Sequence, residues 1–254
     1  MTPESGAPPR FLILWGDGIN CENESARAVE AAGGRAGALR VAELLRRPSH
    51  LSDFDALILP GGFSFGDHLG SGQVLALQLA QKLRAELQTF ARTQPIIGIC
   101  NGFQALIRLG LLPDADFERK CALIGNAGGH FIDRWVELKT DFDSPCIWTR
   151  GLPERFFLPM RHGEGRLIAR EDGLIDRLVQ NGQAPLTYCE DVNGSAHRIA
   201  GVCDPSGLVF GLMPHPEAAL FGWQCPFDAS SLGLQFFKNA VQYLKEKAGA
   251  ATAV

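Results

Sequence analysis

Apolar residues in this chain form short unbroken runs, separated by longer stretches where they recur every three or four positions. Phe11-Leu12-Ile13-Leu14-Trp15, Ala56-Leu57-Ile58-Leu59 and Ile96-Ile97-Gly98-Ile99 are runs of the first kind, the pattern of strands covered on both faces. Helices are expected over residues 22–32, apolar at Ala28, Val29 and Ala32, and over 71–91, apolar at Val74, Leu75, Leu79, Leu83, Leu87 and Phe90. Gly33-Gly34 stops the first of these. A shorter helix is expected over 39–47, ended by Pro48. After Cys100, Phe103, Leu106, Ile107 and Leu109 continue as another helix.

From 121 to 170 the pattern changes. Ile124, Phe131, Trp135, Val136 and Leu138 read as extended, as do Phe156-Phe157-Leu158 and Arg166-Leu167-Ile168, with glycines between them. A helix over 172–180 follows, then strands near 186–190, 198–203 and 208–213. A last helix over 230–245 is apolar at Leu232, Phe236, Phe237, Val241 and Leu244. Strand and helix in alternation predict an α/β fold, a doubly wound, mostly parallel sheet with helices on both faces and an antiparallel section. One domain over 11–247 is expected, with flexible tails at 1–10 and 248–254.

Composition narrows the function classes. The 254 residues are 46% hydrophobic and 20% charged, with a net charge of −4. That suits a soluble globular protein and gives no electrostatic footprint for nucleic acid. No run reaches a membrane span, and MTPESGAPPR is not a secretory signal. Seven cysteines, none in C-x-x-C spacing, argue against a disulfide framework and a structural zinc site. A reducing cytoplasmic setting, with most cysteines acting as buried small hydrophobes, follows as the expectation.

Three stretches carry chemistry. Gly98-Ile99-Cys100-Asn101-Gly102 has the G-x-nucleophile-x-G form of a nucleophile elbow between strand and helix. Its glycines relieve crowding in the turn, and the helix's positive end favours negative charge on sulfur. The N–H of Asn101 then points where an oxyanion would form. The bland alternative is a buried structural cysteine. Pro60-Gly61-Gly62 ends the second strand. Either it is a plain loop, or the Gly62 N–H completes an oxyanion hole. In Met213-Pro214-His215-Pro216-Glu217 the prolines hold the chain extended, so His215 and Glu217 share one face as base and orienter. Two solvated polar residues are the bland reading there. His162, in His162-Gly163-Glu164-Gly165, is a second candidate polar site, for which the local sequence favours a solvated loop.

Together these stretches resemble the class I glutamine amidotransferases. Pro60 to Leu69 (PGGFSFGDHL), Gly98 to Gln104 (GICNGFQ), Asn126 to Leu138, His162 to Gly165 (HGEG), Asn193-Gly194-Ser195 with Ile199-Ala200-Gly201, and Met213 to Glu217 (MPHPE) narrow the likeness. They match the glutaminase subunits of phosphoribosylformylglycinamidine synthase, in purine biosynthesis. The resemblance implies that Cys100 attacks the glutamine amide, His215 moves the proton and Glu217 orients it. It implies that the N–H groups of Gly62 and Asn101 hold the oxyanion and that Phe63 and Gln104 help hold glutamine. It also implies a synthetase partner that uses ATP and Mg²⁺ to make formylglycinamidine ribonucleotide from the formylglycinamide, and leaves room for a further small subunit. No cofactor or metal is expected in this chain, and no G-x-x-x-x-G-K-[ST] loop occurs in it. Ala218 departs from the family's usual Arg, and Glu190-Asp191-Val192 from a frequent Asn-Pro. A glutaminase serving another synthetase, a stand-alone cysteine hydrolase and a non-catalytic regulatory module remain as alternatives.

Overall fold

A computed structural model of the chain describes residues 7–227 and 232–252. The first half is β1 (Arg10–Trp15), α1 (Glu22–Ala31), β2 (Arg35–Arg40), α2 (Val41–Arg46), β3 (Ala56–Leu59), α3 (Gln73–Ala91), β4 (Ile96–Ile99) and α4 (Asn101–Leu109). The second is β5 (Cys121–Gly125), β6 (Ile132–Thr140), β7 (Arg155–His162), β8 (Glu164–Ala169), α5 (Leu174–Gln180), β9 (Leu186–Tyr188), β10 (Ile199–Cys203), β11 (Val209–Leu212) and α6 (Gly233–Thr252).

Nine strands form one mixed sheet in the order β2-β1-β3-β4-β11-β10-β9-β6-β7. From β2 to β11 neighbours run parallel, and from β11 to β7 they run antiparallel. The strands β5 and β8 pair apart as a two-stranded antiparallel sheet. Every residue of β3, β4 and β11 is buried, as their unbroken apolar runs require, because helices cover a parallel sheet on both faces. On one side α3 packs on α4, and on the other α1 packs on α6. The predicted stripes are buried at Leu75, Leu79, Leu83, Leu87 and Phe90 on α3 and at Phe236, Phe237, Val241 and Leu244 on α6, while Val74 and Leu232, the latter just ahead of α6, are half-buried. No helix among the described residues is long and apolar enough to cross a membrane.

The structure corrects three boundaries. The helix expected from Leu39 starts at Val41, and Arg35–Arg40 is instead the edge strand β2, paired with β1. Its sequence, RAGALR, hides a strand because Gly37 replaces a β-former: a methyl there would come within 2.6 Å of the Phe54 ring. At the amino terminus, 1–6 lie outside the described residues. Arg35 N–H donates to the Pro9 carbonyl at 2.9 Å, and Arg10 already opens β1. At the other end α6 continues to Thr252, so the tail expected from 248 is helical that far, with 253–254 outside the described residues. The expected start of that helix, 230–231, also lies outside them.

Candidate active site

Three adjacent parallel strands bring the three motifs to one edge. The strand β3 ends at Leu59 before Pro60-Gly61-Gly62, β4 ends at Ile99 before Cys100, and β11 ends at Leu212 before Met213-Pro214-His215. With β4 between the other two, their carboxyl ends are neighbours, where ligands gather in such sheets. The far strand β7 curls back over this edge. Its Pro159 carbonyl accepts the His215 N–H at 2.8 Å, and its Arg161 carbonyl accepts from the Cys100 thiol at 3.5 Å.

Cys100 occupies the hinge between β4 and α4 with φ 51° and ψ −104°. A non-glycine residue held at positive φ costs on the order of 1–3 kcal/mol, a strain typical of functional turns. The glycines around it are required by close approach. A methyl on Gly98 would come within 2.6 Å of the Gly102 carbonyl oxygen, and one on Gly102 would overlap the carbonyl oxygen of Leu59. The elbow is therefore wedged between its own helix and the neighbouring strand.

His215 is buried, and its Nδ1 lies 2.6 Å from Glu217 Oε1, also buried. A carboxylate only accepts, so Nδ1 carries the proton and donates it. That leaves Nε2 as the nitrogen that gains or gives up the second proton, with no hydrogen-bond partner among the described residues. Burial acts to lower the imidazole's basicity. The Glu217 carboxylate and the Cys100 sulfur outweigh it and hold the His215 pKa well above the ordinary value. The extended backbone expected after His215 is replaced by a 3₁₀ turn over Pro216–Ala218. Pro216 at the first position of that turn explains the change, since its fixed φ is already helical. The side chains still meet, now across the turn.

Gly62 lies in the loop after β3, bridged to Ile19, with φ 141°. Three hydrogen bonds pin its neighbours to the loop after β1: Phe63 N–H to the Gly18 carbonyl at 2.7 Å, and the N–H groups of Asn20 and Cys21 to the Gly61 carbonyl at 3.4 and 3.3 Å. Gly62's own N–H has no acceptor among the described residues. Asn101 opens α4, so its N–H has no acceptor within the helix either. The Asn101 side chain ties the two loops together. Its Oδ1 accepts from Ser64 N–H at 3.2 Å, and its Nδ2 donates to Asp67 at 3.1 Å and to Gln104 Oε1 at 3.0 Å.

These groups open on a cleft of about 350 Å³. Phe63 stands at its mouth, 47% exposed and stacked on Phe131 with ring centroids 6.4 Å apart. Gln104 is buried, and its amide binds Asn101 at one end and the Glu164 carbonyl, at 2.5 Å, at the other. It braces the elbow against the HGEG turn.

His162 is not in a solvated loop. It ends β7, is buried, and its ring lies over Gly165, where a side chain would overlap it. Neither ring nitrogen has a partner among the described residues. Burial, with His215 nearby, pushes its pKa down to about 4, so it is neutral at physiological pH. Cys21 and Arg161 also line the cleft without being singled out in the sequence. Arg161 Nη2 lies 3.4 Å from His215 Nδ1 and 3.6 Å from Glu24. As the Nδ1 proton faces Glu217, Arg161 is a charged neighbour of the ring and not its donor. No local pattern marks either residue; only the fold brings the loop after β1 and the end of β7 to this edge.

Residues 8–244 match the CobB/CobQ-like glutamine amidotransferase domain family. The phosphoribosylformylglycinamidine synthase subunit PurQ of Dehalococcoides mccartyi is 38% identical over 252 residues, covering 93% of this chain and 98% of its own length. The subunit of the same name from Methanococcus maripaludis strain C7 is 34% identical over 270 residues, covering 94% and 98%. A chain in the structure of PurLQS from Thermotoga maritima matches with a TM-score of 0.76 at 35% identity, over 94% of this chain and 100% of that one. A likeness that runs through the whole sheet and all three motif loops has one consequence: the chain belongs to the PurQ subunits of phosphoribosylformylglycinamidine synthase, a family of glutamine amidotransferases.

Proposed function

We propose that this chain hydrolyses glutamine to glutamate and ammonia through a thioester on Cys100, and that a synthetase partner uses the ammonia to convert formylglycinamide ribonucleotide to formylglycinamidine ribonucleotide. The observation that carries the reading is that Cys100 and His215, the latter hydrogen-bonded to the buried Glu217, line one cleft at the ends of β4 and β11. His215 Nε2 takes the thiol proton, and the sulfur attacks the carboxamide carbon. The oxyanion that forms faces the N–H groups of Gly62 and Asn101. The C–N bond then breaks, and the imidazolium returns its proton to the leaving nitrogen, which departs as ammonia. Water, activated by the same imidazole, cleaves the thioester and frees glutamate. Throughout, Glu217 keeps Nδ1 protonated and supports the positive ring.

The similar chain from Thermotoga maritima belongs to PurLQS, which supports assembly of this one with a synthetase subunit and a further small subunit. ATP and Mg²⁺ act on the synthetase in this reading, which sets the reaction in the cytoplasm and assigns residues 11–247 to one glutaminase domain. The test is Cys100→Ala in the reconstituted complex. Glutamine-dependent synthesis should vanish, while synthesis from added ammonium salt survives. Equal loss with both nitrogen sources would contradict an ammonia-donor role.

A further inference from the structure

Glutamine brings an α-carboxylate and an α-ammonium into the cleft along with its carboxamide, and the triad handles neither. Four bonds separate the carboxamide carbon from the carboxylate carbon, roughly 5 Å in an extended chain with C–C bonds of about 1.5 Å. The head of the substrate therefore meets the cleft wall while its amide meets Cys100. Three carboxylates line that wall, Glu24, Asp67 and Glu164, and among the described residues Arg161 is the one Arg or Lys beside them. Arg161 reaches from nucleophile to wall within a single residue. Its carbonyl accepts from the Cys100 thiol at 3.5 Å, and its guanidinium stands past the His215 ring, with Nη2 3.4 Å from Nδ1. Every polar contact of the guanidinium runs through Nη2, so Nε and Nη1 have no partner among the described residues. Of the carboxylates, Asp67 accepts from Asn101, and Glu164 accepts from Ser71 N–H and pairs with Arg108. Glu24 pairs with Arg161 alone among the described residues, at 3.6 Å. A cation and an anion with free capacity thus stand side by side on the wall.

We propose that Arg161 binds the α-carboxylate of glutamine and Glu24 its α-ammonium, so that the cleft selects a zwitterionic amino acid over other primary amides, an assignment that rests on the glutaminase reading. The Arg161–Glu24 pair is half-exposed, with side chains 35% and 40% accessible, and such a pair is held loosely in water. The head group joins it as a second pair of opposite sense, carboxylate on the free donors of the guanidinium and ammonium on the Glu24 oxygens. Without Arg161, Glu24, Asp67 and Glu164 would repel the incoming carboxylate. Because one residue supplies both the carbonyl beside the Cys100 thiol and the guanidinium, docking the head also sets how the carboxamide approaches sulfur. Arg161 binds and moves no proton. Its charge beside Nδ1 also bears on the His215 ring, and that influence is the same for every amide in the cleft.

Binding is read without turnover, so the assignment and the glutaminase reading fail separately. The Cys100→Ala chain, in complex with its synthetase, is titrated by calorimetry with three ligands: L-glutamine, 4-aminobutyramide, which lacks the carboxylate, and glutaramate, which lacks the ammonium. Adding Arg161→Met should weaken glutamine and glutaramate by roughly 10–100-fold, the scale of one charge-assisted contact, while 4-aminobutyramide, a cation, holds or gains affinity. Glu24→Gln should give the converse, with glutamine and 4-aminobutyramide weakened and glutaramate holding or gaining. Arg161→Lys keeps the charge but not the planar fork, so its affinity for glutamine should fall between those of Arg and Met. A purely structural role for Arg161 would weaken all three ligands together. Equal losses for the three with Arg161→Met, or no loss for glutamine, overturns the proposal.

Discussion

Across a single proline, His215 Nδ1 stands 2.6 Å from Glu217 Oε1, and both side chains are sealed from solvent. The pairing fixes which nitrogen is free. Because Glu217 can only accept, the proton that the ring exchanges in turnover is the one on Nε2. Glu217→Gln keeps the shape but replaces the carboxylate with an amide that can also donate, so the tautomer is no longer enforced. Glutamine-dependent kcat should fall by roughly two to four orders of magnitude with KM little changed. Steady-state kinetics of the complex, with ammonium-dependent synthesis as the internal control, checks this.

The elbow's glycines should be separable by stability. Gly102→Ala drives a methyl into the Leu59 carbonyl, in a core where nothing can yield, whereas Gly125 has nothing within 4 Å of the same position. Gly102→Ala should therefore cost roughly 2–4 kcal/mol or more, and Gly125→Ala less than about 1 kcal/mol. Urea unfolding of the two variants distinguishes them, and equal costs would refute the wedge.

Gly62 offers a catalytic counterpart. At φ 141°, a methyl would sit 2.7–2.9 Å from Gly18 O, Asn20 N and Ile19 Cα, so the loop would have to move and carry its N–H out of place. Gly62→Ala should lower kcat by roughly 10²–10³, the usual cost of one lost oxyanion donor. Active-site alkylation of Cys100 should remain close to the wild-type rate.

What could be read from the chain alone followed the strength of local signals. The runs at Ile13, Ile58 and Ile97 stand as strands because both of their faces are buried and no polar residue interrupts them. Cys100, His215 and Glu217 stood out because glycines and prolines at fixed offsets restrict the backbone around each. β2 did not stand out, since an edge strand with one partner tolerates Gly37 and two arginines. The turn after His215 was read as extended because proline bars helix at the residue before it, while its own φ allows a turn to start there. Cys21 and Arg161 carry no local mark, and the glycines around His162 mark a polar turn but not its burial. The places of Arg161 and His162 in the cleft depend on β7 curling back from the sheet's far edge, and that of Cys21 on the loop after β1, long-range facts that spacing does not encode.

His162 should leave a signature in acid. With its folded pKa near 4 against an ordinary 6.5, the unfolded chain takes up this proton first as pH falls. Stability should therefore drop between about pH 6.5 and 4, by about 3 kcal/mol in all, and level off below. The raised pKa of His215 acts in the opposite sense. Its contribution is complete below 6.5 and is lost only as pH rises through its higher folded value, so the two windows do not overlap. Urea unfolding across this range, compared with His162→Gln, should show the acid slope reduced by up to about 1.4 kcal/mol per pH unit in the variant.

The most direct test of the thioester is to catch it. The complex is mixed with glutamine, quenched in acid within the first turnover, digested and read by mass spectrometry. The peptide containing Cys100 should carry one γ-glutamyl group that hydroxylamine removes, and Cys100→Ala should carry none. A γ-glutamyl group on any other residue, or turnover at full rate with Cys100 replaced, would contradict the account.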